Sequence, residues 1–197
     1  LRLPTGKMSS RTGNIIPALS LVGEVQQKVL ARMAESGLEN KEATARDVAV
    51  AAIKYAILRS AAGKDVVFNM DQSISIEGAS GPYLQYTHAR IRSILEKAKR
   101  EDVSASVSSI QEKTYGIERL IYQFPEITER AVLGRVPHYV VTYLTELAGA
   151  FNSWYAKDQI VNKDDKYSPY KIALAEAVAQ TLKNGLWCLG IKAPERM

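Results

Sequence analysis

Helix-length segments with apolar residues at every third or fourth position run through most of this 197-residue sequence. Such spacing places the apolar side chains on one side of a helix. A short β-branched run, DVVFN at residues 65–69, could be a strand but has no obvious partner strand, and the MDQSISIEGASG that follows is predicted to be a polar loop. The sequence therefore predicts an all-α fold in which the helices pack as a bundle.

Capping and turn residues set the predicted helix ends. Residues 44–47, TARD, resemble a capping box with Asp in place of Glu. Ser80 or Gly81 can cap a helix that starts at Pro82, and Ser168 can cap one that starts at Pro169. The predicted helices span residues 17 to about 35, 44 to about 62, 82 to about 100, 110–123, 125–133, 137 to about 157, and 169 to about 190. The last of these carries an apolar stripe at four-residue spacing, namely Leu174, Val178, Leu182 and Leu186.

Composition excludes several classes of protein. Cys188 is the single cysteine, so an internal disulfide and a cysteine-based metal cluster are both excluded, and the two histidines are a weak basis for any metal site. No apolar run approaches the roughly 20 residues that span a bilayer, and no secretion signal is recognisable. We therefore expect a cytoplasmic protein. The chain begins with Leu rather than Met, from which we expect a piece of a longer protein.

The segment SGPYLQYTHARIRSILEKAKR, residues 80–100, carries the first candidate binding face. Helical spacing predicts a buried face formed by Leu84, His88, Ile91 and Leu95, in which His88 is a hydrogen-bonded core residue rather than a catalyst. A second face carries Tyr83, Tyr86, Arg90 and Lys97. Two aromatic rings above two cations suit unpaired RNA bases and phosphates, and the net charge of +5 permits an anionic partner. In the alternative interpretation, the tyrosines only cover neighbouring helices.

The longest predicted helix offers further candidates near its far end. Its core residues by spacing are Val140, Tyr143, Leu144, Leu147 and Phe151. Asn152, Tyr155 and Trp154 could face a ligand, although simple packing explains them equally well from the pattern.

The stretch GKMSSRTGN, residues 6–14, combines a lysine with small and hydroxyl residues that can contact phosphate. It does not match the G-x-x-x-x-G-K-[ST] phosphate loop, and a flexible leader has a similar composition. The sequence contains no Ser–His–Asp arrangement, no paired-carboxylate motif and no dinucleotide fingerprint. We therefore do not expect a complete enzyme within this chain.

Five motifs together resemble arginyl-tRNA synthetases, in that family's order and nearly end to end. They are GKMSSRTGN, AVAAIKYAILRS, FNMDQSISIEGASGPYLQYTHARIRSIL, YLTELAGAFNSWY and the terminal NGLWCLGIKAPERM. The first resembles the KMSKS loop of class I synthetases, which closes over ATP and stabilises charge on the pyrophosphate. In this loop the resemblance implies roles for Lys7, Met8, Ser9 and Arg11, whereas Ser10 stands where the family has a second lysine.

The resemblance also implies a division of the chain and a set of binding residues. Residues 1–16 would be the remnant of the catalytic domain, residues 17–62 connecting helices along the tRNA, and residues 63–197 the anticodon-binding helical domain. The ATP-binding Rossmann domain with its HIGH signature would precede residue 1. Residues 78–81 would lie beside the anticodon, and the implied anticodon-binding side chains are Tyr83, Tyr86, Arg90, Asn152, Tyr155 and Met197.

The resemblance implies arginine tRNA as the partner. From composition we expect no membrane and no metal cluster, and we also expect a monomer. ATP and Mg²⁺ would serve the parent arginine–tRNA ligase, whereas this chain alone would bind neither and would be inactive. Two alternatives stay open at this point. One is a helical protein-interaction module with no RNA role, and the other is an active enzyme that uses the Lys7 loop.

Overall fold

The computed structural model describes residues 17–108, 110 and 114–197, together with the backbone of residues 2–3 and 6–7. In these ranges, β1 (Arg2–Leu3) pairs antiparallel with β2 (Gly6–Lys7), and all other regular structure is helical. The helices are α1 (Ala18–Arg32), α2 (Lys41–Leu58), α3 (Met70–Ser73), α4 (Gly81–Arg100), α5 (Gly116–Gly134), α6 (His138–Tyr155) and α7 (Ser168–Cys188). The predicted all-α class is confirmed.

The helices bury two groups of apolar side chains. The larger core lies among α4, α5, α6 and α7, and it contains every core residue predicted above for α6. It also contains the predicted stripe of α7, namely Leu174, Val178, Leu182 and Leu186. The smaller core lies between α1 and α2 and is completed by Phe68 and Ile74 from the segment that leads to α4. Helix α2 contributes residues to both cores and thereby joins them.

Helix α4 occupies the centre of this arrangement, in contact with α2, α6 and α7. Its first residue, Gly81, lies so close to α2 that a Cβ atom would overlap the backbone carbonyl of Ala51. The absence of a side chain at this position therefore sets the distance between the two helices, and with it the position of the first turn of α4.

The predicted bounds of α2 and α5 are wrong, and α5 begins at Gly116 instead of residue 110. Helix α2 begins at Lys41, and the Thr44 N–H donates to Asn40 O at 3.0 Å, so Thr44 lies inside the helix and does not cap it. The separate helices predicted for residues 110–123 and 125–133 form one helix, α5, which contains Pro125. Pro125 is exposed, so water can replace the N–H that the proline denies to the preceding turn.

Three further local predictions differ from the structure. The Ser168 hydroxyl does not cap α7; it donates to Ile160 O at 2.7 Å, accepts from Asn162 N–H at 3.0 Å, and so holds the preceding loop. The DVVFN run is not a strand, since Val67 alone makes a bridge pairing while Phe68 is buried in the smaller core. The short helix α3 lies within the segment predicted to be a polar loop.

A pair of glycine substitutions tests the contact between α2 and α4. We expect Gly81→Ala to destabilise the protein by about 3 kcal/mol or more, because the backbone of Ala51 must move. Gly23→Ala is the matched control: Gly23 lies within α1 and has open space where a methyl group would project, so alanine should stabilise by about 0.5–1 kcal/mol. Urea unfolding measures both values, and equal effects of the two substitutions would contradict the account.

Candidate nucleic-acid interface

The loop before α4 is fastened to the first turn of that helix by Ser80. The buried Ser80 hydroxyl donates to Ser75 O and accepts from Tyr83 N–H, the latter at 3.0 Å. This is the predicted serine cap of α4. The cap holds residues 75–80 against the start of the helix that carries both candidate tyrosines.

Five predicted site residues meet between α4 and α6, and we refer to them as the tyrosine cluster: Tyr83, Tyr86, Arg90, Asn152 and Tyr155. Asn152 is at its centre. Its Nδ2 donates to the hydroxyls of Tyr83 and Thr87, both at 3.0 Å, and its Oδ1 accepts from Arg90. The amide thus holds α4 and α6 in register at this point, with each of its polar atoms bonded.

The Arg90 guanidinium lies between two aromatic rings of the tyrosine cluster. Its central carbon is 4.8 Å from the centroid of the Tyr86 ring and 5.7 Å from that of Tyr155. The Tyr155 ring also stacks on Phe151, with an interplanar angle of 9°. Cation–π attraction and stacking hold these flat groups in fixed orientations before any ligand arrives.

The tyrosines of the cluster differ in their surroundings. Tyr83 is half-buried, packs against the larger core and is hydrogen-bonded through its hydroxyl, as the packing interpretation requires. Tyr155 is 42% exposed, so its ring is open to a ligand. Tyr86 is half-buried and lines an apolar groove. The exposed Tyr155 ring can stack on a base, and the fixed Arg90 guanidinium beside it can contact a phosphate.

The C-terminal tail, residues 191–197, runs along the opposite side of α4. Gln85 Nε2 donates to Lys192 O at 2.8 Å, and His88 Nδ1 lies 2.8 Å from Pro194 O. The exposed tail residues form ion pairs, Arg92 with Glu195 and Glu96 with Arg196. Two buried polar side chains and a row of surface charges therefore fix the tail to α4.

His88 is a hydrogen-bonded core residue, as predicted. It is 1% exposed, and burial lowers its pKa, opposed in part by the hydrogen bond to Pro194 and by the charge of Glu195. The neutral ring is therefore favoured at pH 7, with Nδ1 carrying the proton because a carbonyl oxygen can only accept.

Met197, the last predicted site residue, lies outside the tyrosine cluster. It packs against the smaller core and lines an apolar groove of about 310 Å³ between the helices α1 and α2 and the start of α4. Ile74, Ile76 and Tyr86 line the same groove. Tyr86 thus belongs to both features. Sequence reasoning missed this groove, although the alternating apolar residues of SISI were a signal for it.

The predicted catalytic residues fall mostly outside the residues that the structure describes. Met8, Ser9 and Arg11 lie outside the described residues, and for Lys7 only the backbone, in β2, is described. Among the described residues, no helix is both long and apolar enough to cross a membrane.

Comparison with known proteins identifies the family. Residues 84–197, more than half of the chain, match the DALR anticodon binding domain. The chain belongs to the DALR anticodon-binding domain family. The tyrosine cluster, the groove and the tail all include residues of the matched DALR region, and the resemblance found in the sequence is confirmed.

Several similar proteins are arginine–tRNA ligases. Those of Oenococcus oeni and Methanospirillum hungatei are 34% and 36% identical to this chain over 97% and 99% of its length. The arginyl-tRNA synthetase of Thermus thermophilus has a similar structure, with a TM-score of 0.85 and 28% identity over the whole chain. The Plasmodium falciparum enzyme shares the fold, with a TM-score of 0.78 and 24% identity over 93% of the chain. This DALR chain spans about a third of each, from 34% to 36% of their lengths.

The burial of His88 predicts a pH dependence of stability. The pKa of His88 is lowered in the folded protein, so the unfolded chain binds more protons once the pH falls below about 6.5. The free energy of unfolding therefore decreases as the pH falls from about 6.5 to the folded pKa of His88. His88→Asn keeps a donor near Pro194 O and cannot titrate. We therefore expect unfolding free energies measured between pH 7 and pH 5 to fall more for the wild type. Parallel pH profiles would contradict this role of His88.

Proposed function

We propose that this chain recognises the anticodon arm of arginine tRNA, as the anticodon-binding part of an arginine–tRNA ligase. The observation that carries the proposal is the tyrosine cluster, where side chains distant in sequence form a preorganised group of open ring, guanidinium and amide. Splayed bases of RNA loops are read by stacking and by hydrogen bonds to their edges. The Tyr155 ring can stack, and Arg90 has N–H donors beyond the one that Asn152 uses. Membership of the DALR family and the basic net charge support the same function.

Within this proposal, Tyr155 and Tyr86 are the stacking residues and Arg90 is the cation that accompanies them. Tyr83 and Asn152 have a positioning role, because their polar atoms are already bonded to each other and to neighbouring groups. Met197 acts from the groove side of Tyr86, and residues 78–81 act from the start of α4. The two sides of α4 then present the anticodon loop with an aromatic cluster and an adjacent apolar groove.

The proposal for the whole protein follows from the relatives' names. In this proposal, the whole protein attaches arginine to tRNA with ATP and Mg²⁺. Its loop of Lys7, Met8, Ser9 and Arg11 contributes positive charge near the ATP phosphates. The division into residues 1–16, 17–62 and 63–197 is part of this proposal. Support comes from the sequence similarity between this chain and arginine–tRNA ligases, which extends over nearly the whole chain.

A binding comparison tests the function. The chain should bind an arginine anticodon stem-loop more tightly than the same stem-loop with the central C of its anticodon replaced, at one fixed moderate salt concentration. Equal affinity for both RNAs would contradict anticodon recognition. A complete lack of RNA binding would favour the alternative of a protein-interaction module, for which the exposed Tyr122, Val132 and Leu133 of α5 offer a surface.

Substitution of Tyr86 tests the stacking role. Tyr86→Ala should weaken binding of the arginine stem-loop by about 5- to 150-fold, the equivalent of about 1–3 kcal/mol per stacked base. Tyr86→Phe keeps the ring and should bind like the wild type. Tyr122→Ala is the matched control, since Tyr122 is 86% exposed on α5 and belongs neither to the tyrosine cluster nor to the groove at Met197. If Tyr86→Ala unfolds at the same denaturant concentration as the wild type and binds equally well, Tyr86 does not stack on a base.

A further inference from the structure

A second groove adjoins the tyrosine cluster at Tyr155. It encloses about 400 Å³ between the middle of α4 and the segment that follows α6. Ile94 and Lys97 line it from α4, and Lys157, Ile160 and Val161 line it from the other side. We refer to it as the lysine groove. Because Tyr155 lines this groove and also belongs to the cluster, the two features form one continuous surface.

The lysine groove has an apolar floor and cationic sides. Ile94, Ile160 and Val161 are buried, so they form a floor on which a sugar ring can rest. Lys97 is about half exposed, and its only ion pair among the described residues is a 3.6 Å contact with Glu101 on its own helix. Surface pairs of this kind contribute little, so the Lys97 ammonium is free to exchange Glu101 for a phosphate. Lys157 is exposed at the opposite side.

The carboxylate that lines the lysine groove, Asp158, is already bound to groups of the protein, and it shares the charge of Lys171 with Asp165. It accepts from the buried Lys171, from Trp154 Nε1 at 3.2 Å and from the Tyr115 hydroxyl at 3.4 Å. Lys171 also binds Asp165 at 2.9 Å, which holds the segment after α6 in place and lowers the pKa of that carboxyl. The C-terminal end of α6 adds partial negative charge, which Lys157 offsets. The lining of the groove therefore carries two lysines, Lys97 and Lys157, against one carboxylate that is bound within the protein.

We propose that the lysine groove binds the phosphodiester backbone of the RNA strand that leaves the tyrosine cluster. This inference rests on the proposed function, because it takes the cluster as the base-binding site. Lys97 lies two helical turns beyond Arg90, which is about 10 Å along α4. At about 3.4 Å per stacked nucleotide, a strand reaches Lys97 roughly three nucleotides from a base at the cluster. Lys97 and Lys157 then contact phosphates from opposite sides, and the groove contributes affinity without reading sequence.

The salt dependence of binding tests this assignment. The probe is the arginine anticodon stem-loop, titrated against the wild type, Lys97→Gln, Lys157→Gln and the double variant over a range of salt concentrations. Each lost phosphate contact on a single strand should reduce the slope of log K against log salt by about 0.7, and the double variant by about 1.4. Lys163→Gln is the matched control, because Lys163 is exposed in the same segment and does not line the groove.

The outcomes separate the groove from the proposed function. Reduced slopes with unchanged preference for the central C of the anticodon support a backbone site. A wild-type slope in the double variant overturns the groove assignment and leaves anticodon recognition intact. Lost preference for the central C in either lysine variant also overturns it, since the groove would then read a base. If the wild type shows no such preference but the slopes still fall, the proposed function fails and the groove remains a general RNA-backbone site.

Discussion

The close contact between α4 and α2 depends on Gly81 having no side chain, and the position of the binding surface depends on that contact. Helix α4 carries Tyr83, Tyr86, Arg90 and Lys97, so any shift of its first turn moves each of these residues relative to α6. The backbone carbonyl of Ala51 sets the limit of approach from one side. The Asn152 amide sets the register with α6 on the other side, through hydrogen bonds to Tyr83, Thr87 and Arg90.

The C-terminal tail extends this arrangement to the smaller core. The Gln85 amide nitrogen and the His88 ring are both buried, and each would be costly to bury without a hydrogen-bond partner. The backbone carbonyls of Lys192 and Pro194 supply those partners. Once the tail is fixed to α4 in this way, Met197 reaches the groove beside Ile74 and Tyr86. A contact made deep in α4 thus determines where the last side chain of the sequence lies.

Local patterns predicted much of the fold because they depend on short-range geometry. The apolar stripes of α4, α6 and α7 and the Ser80 cap follow from helical spacing and from backbone groups within one turn. The prediction failed where distant residues decide the local structure. Ser168 has the chemistry of a cap, but Ile160 and Asn162 come close enough in the fold to take its hydroxyl. Pro125 was expected to divide a helix, but packing of α5 against α6 keeps both parts continuous.

The candidate site was predictable in its membership but not in its geometry. Resemblance selected Tyr83, Tyr86, Arg90, Asn152 and Tyr155, whereas spacing on single helices could not show that Asn152 binds both Tyr83 and Arg90. Spacing on single helices also could not show that Arg90 contacts two rings, or that there is a groove at Met197 and a lysine groove. Each of these features requires residues from separate helices or loops to converge. These features depend on tertiary packing, which a single sequence pattern does not specify.

Hydroxyl-radical footprinting of tyrosine side chains, with and without the arginine anticodon stem-loop, tests the central claim most directly. The claim is that RNA binds across the exposed side of α4 and the end of α6. The account predicts that RNA slows the oxidation of Tyr86 and Tyr155, while the highly exposed Tyr122 on α5 oxidises at an unchanged rate. Protection of Tyr122, with Tyr86 and Tyr155 oxidised as fast as in the free protein, would contradict it.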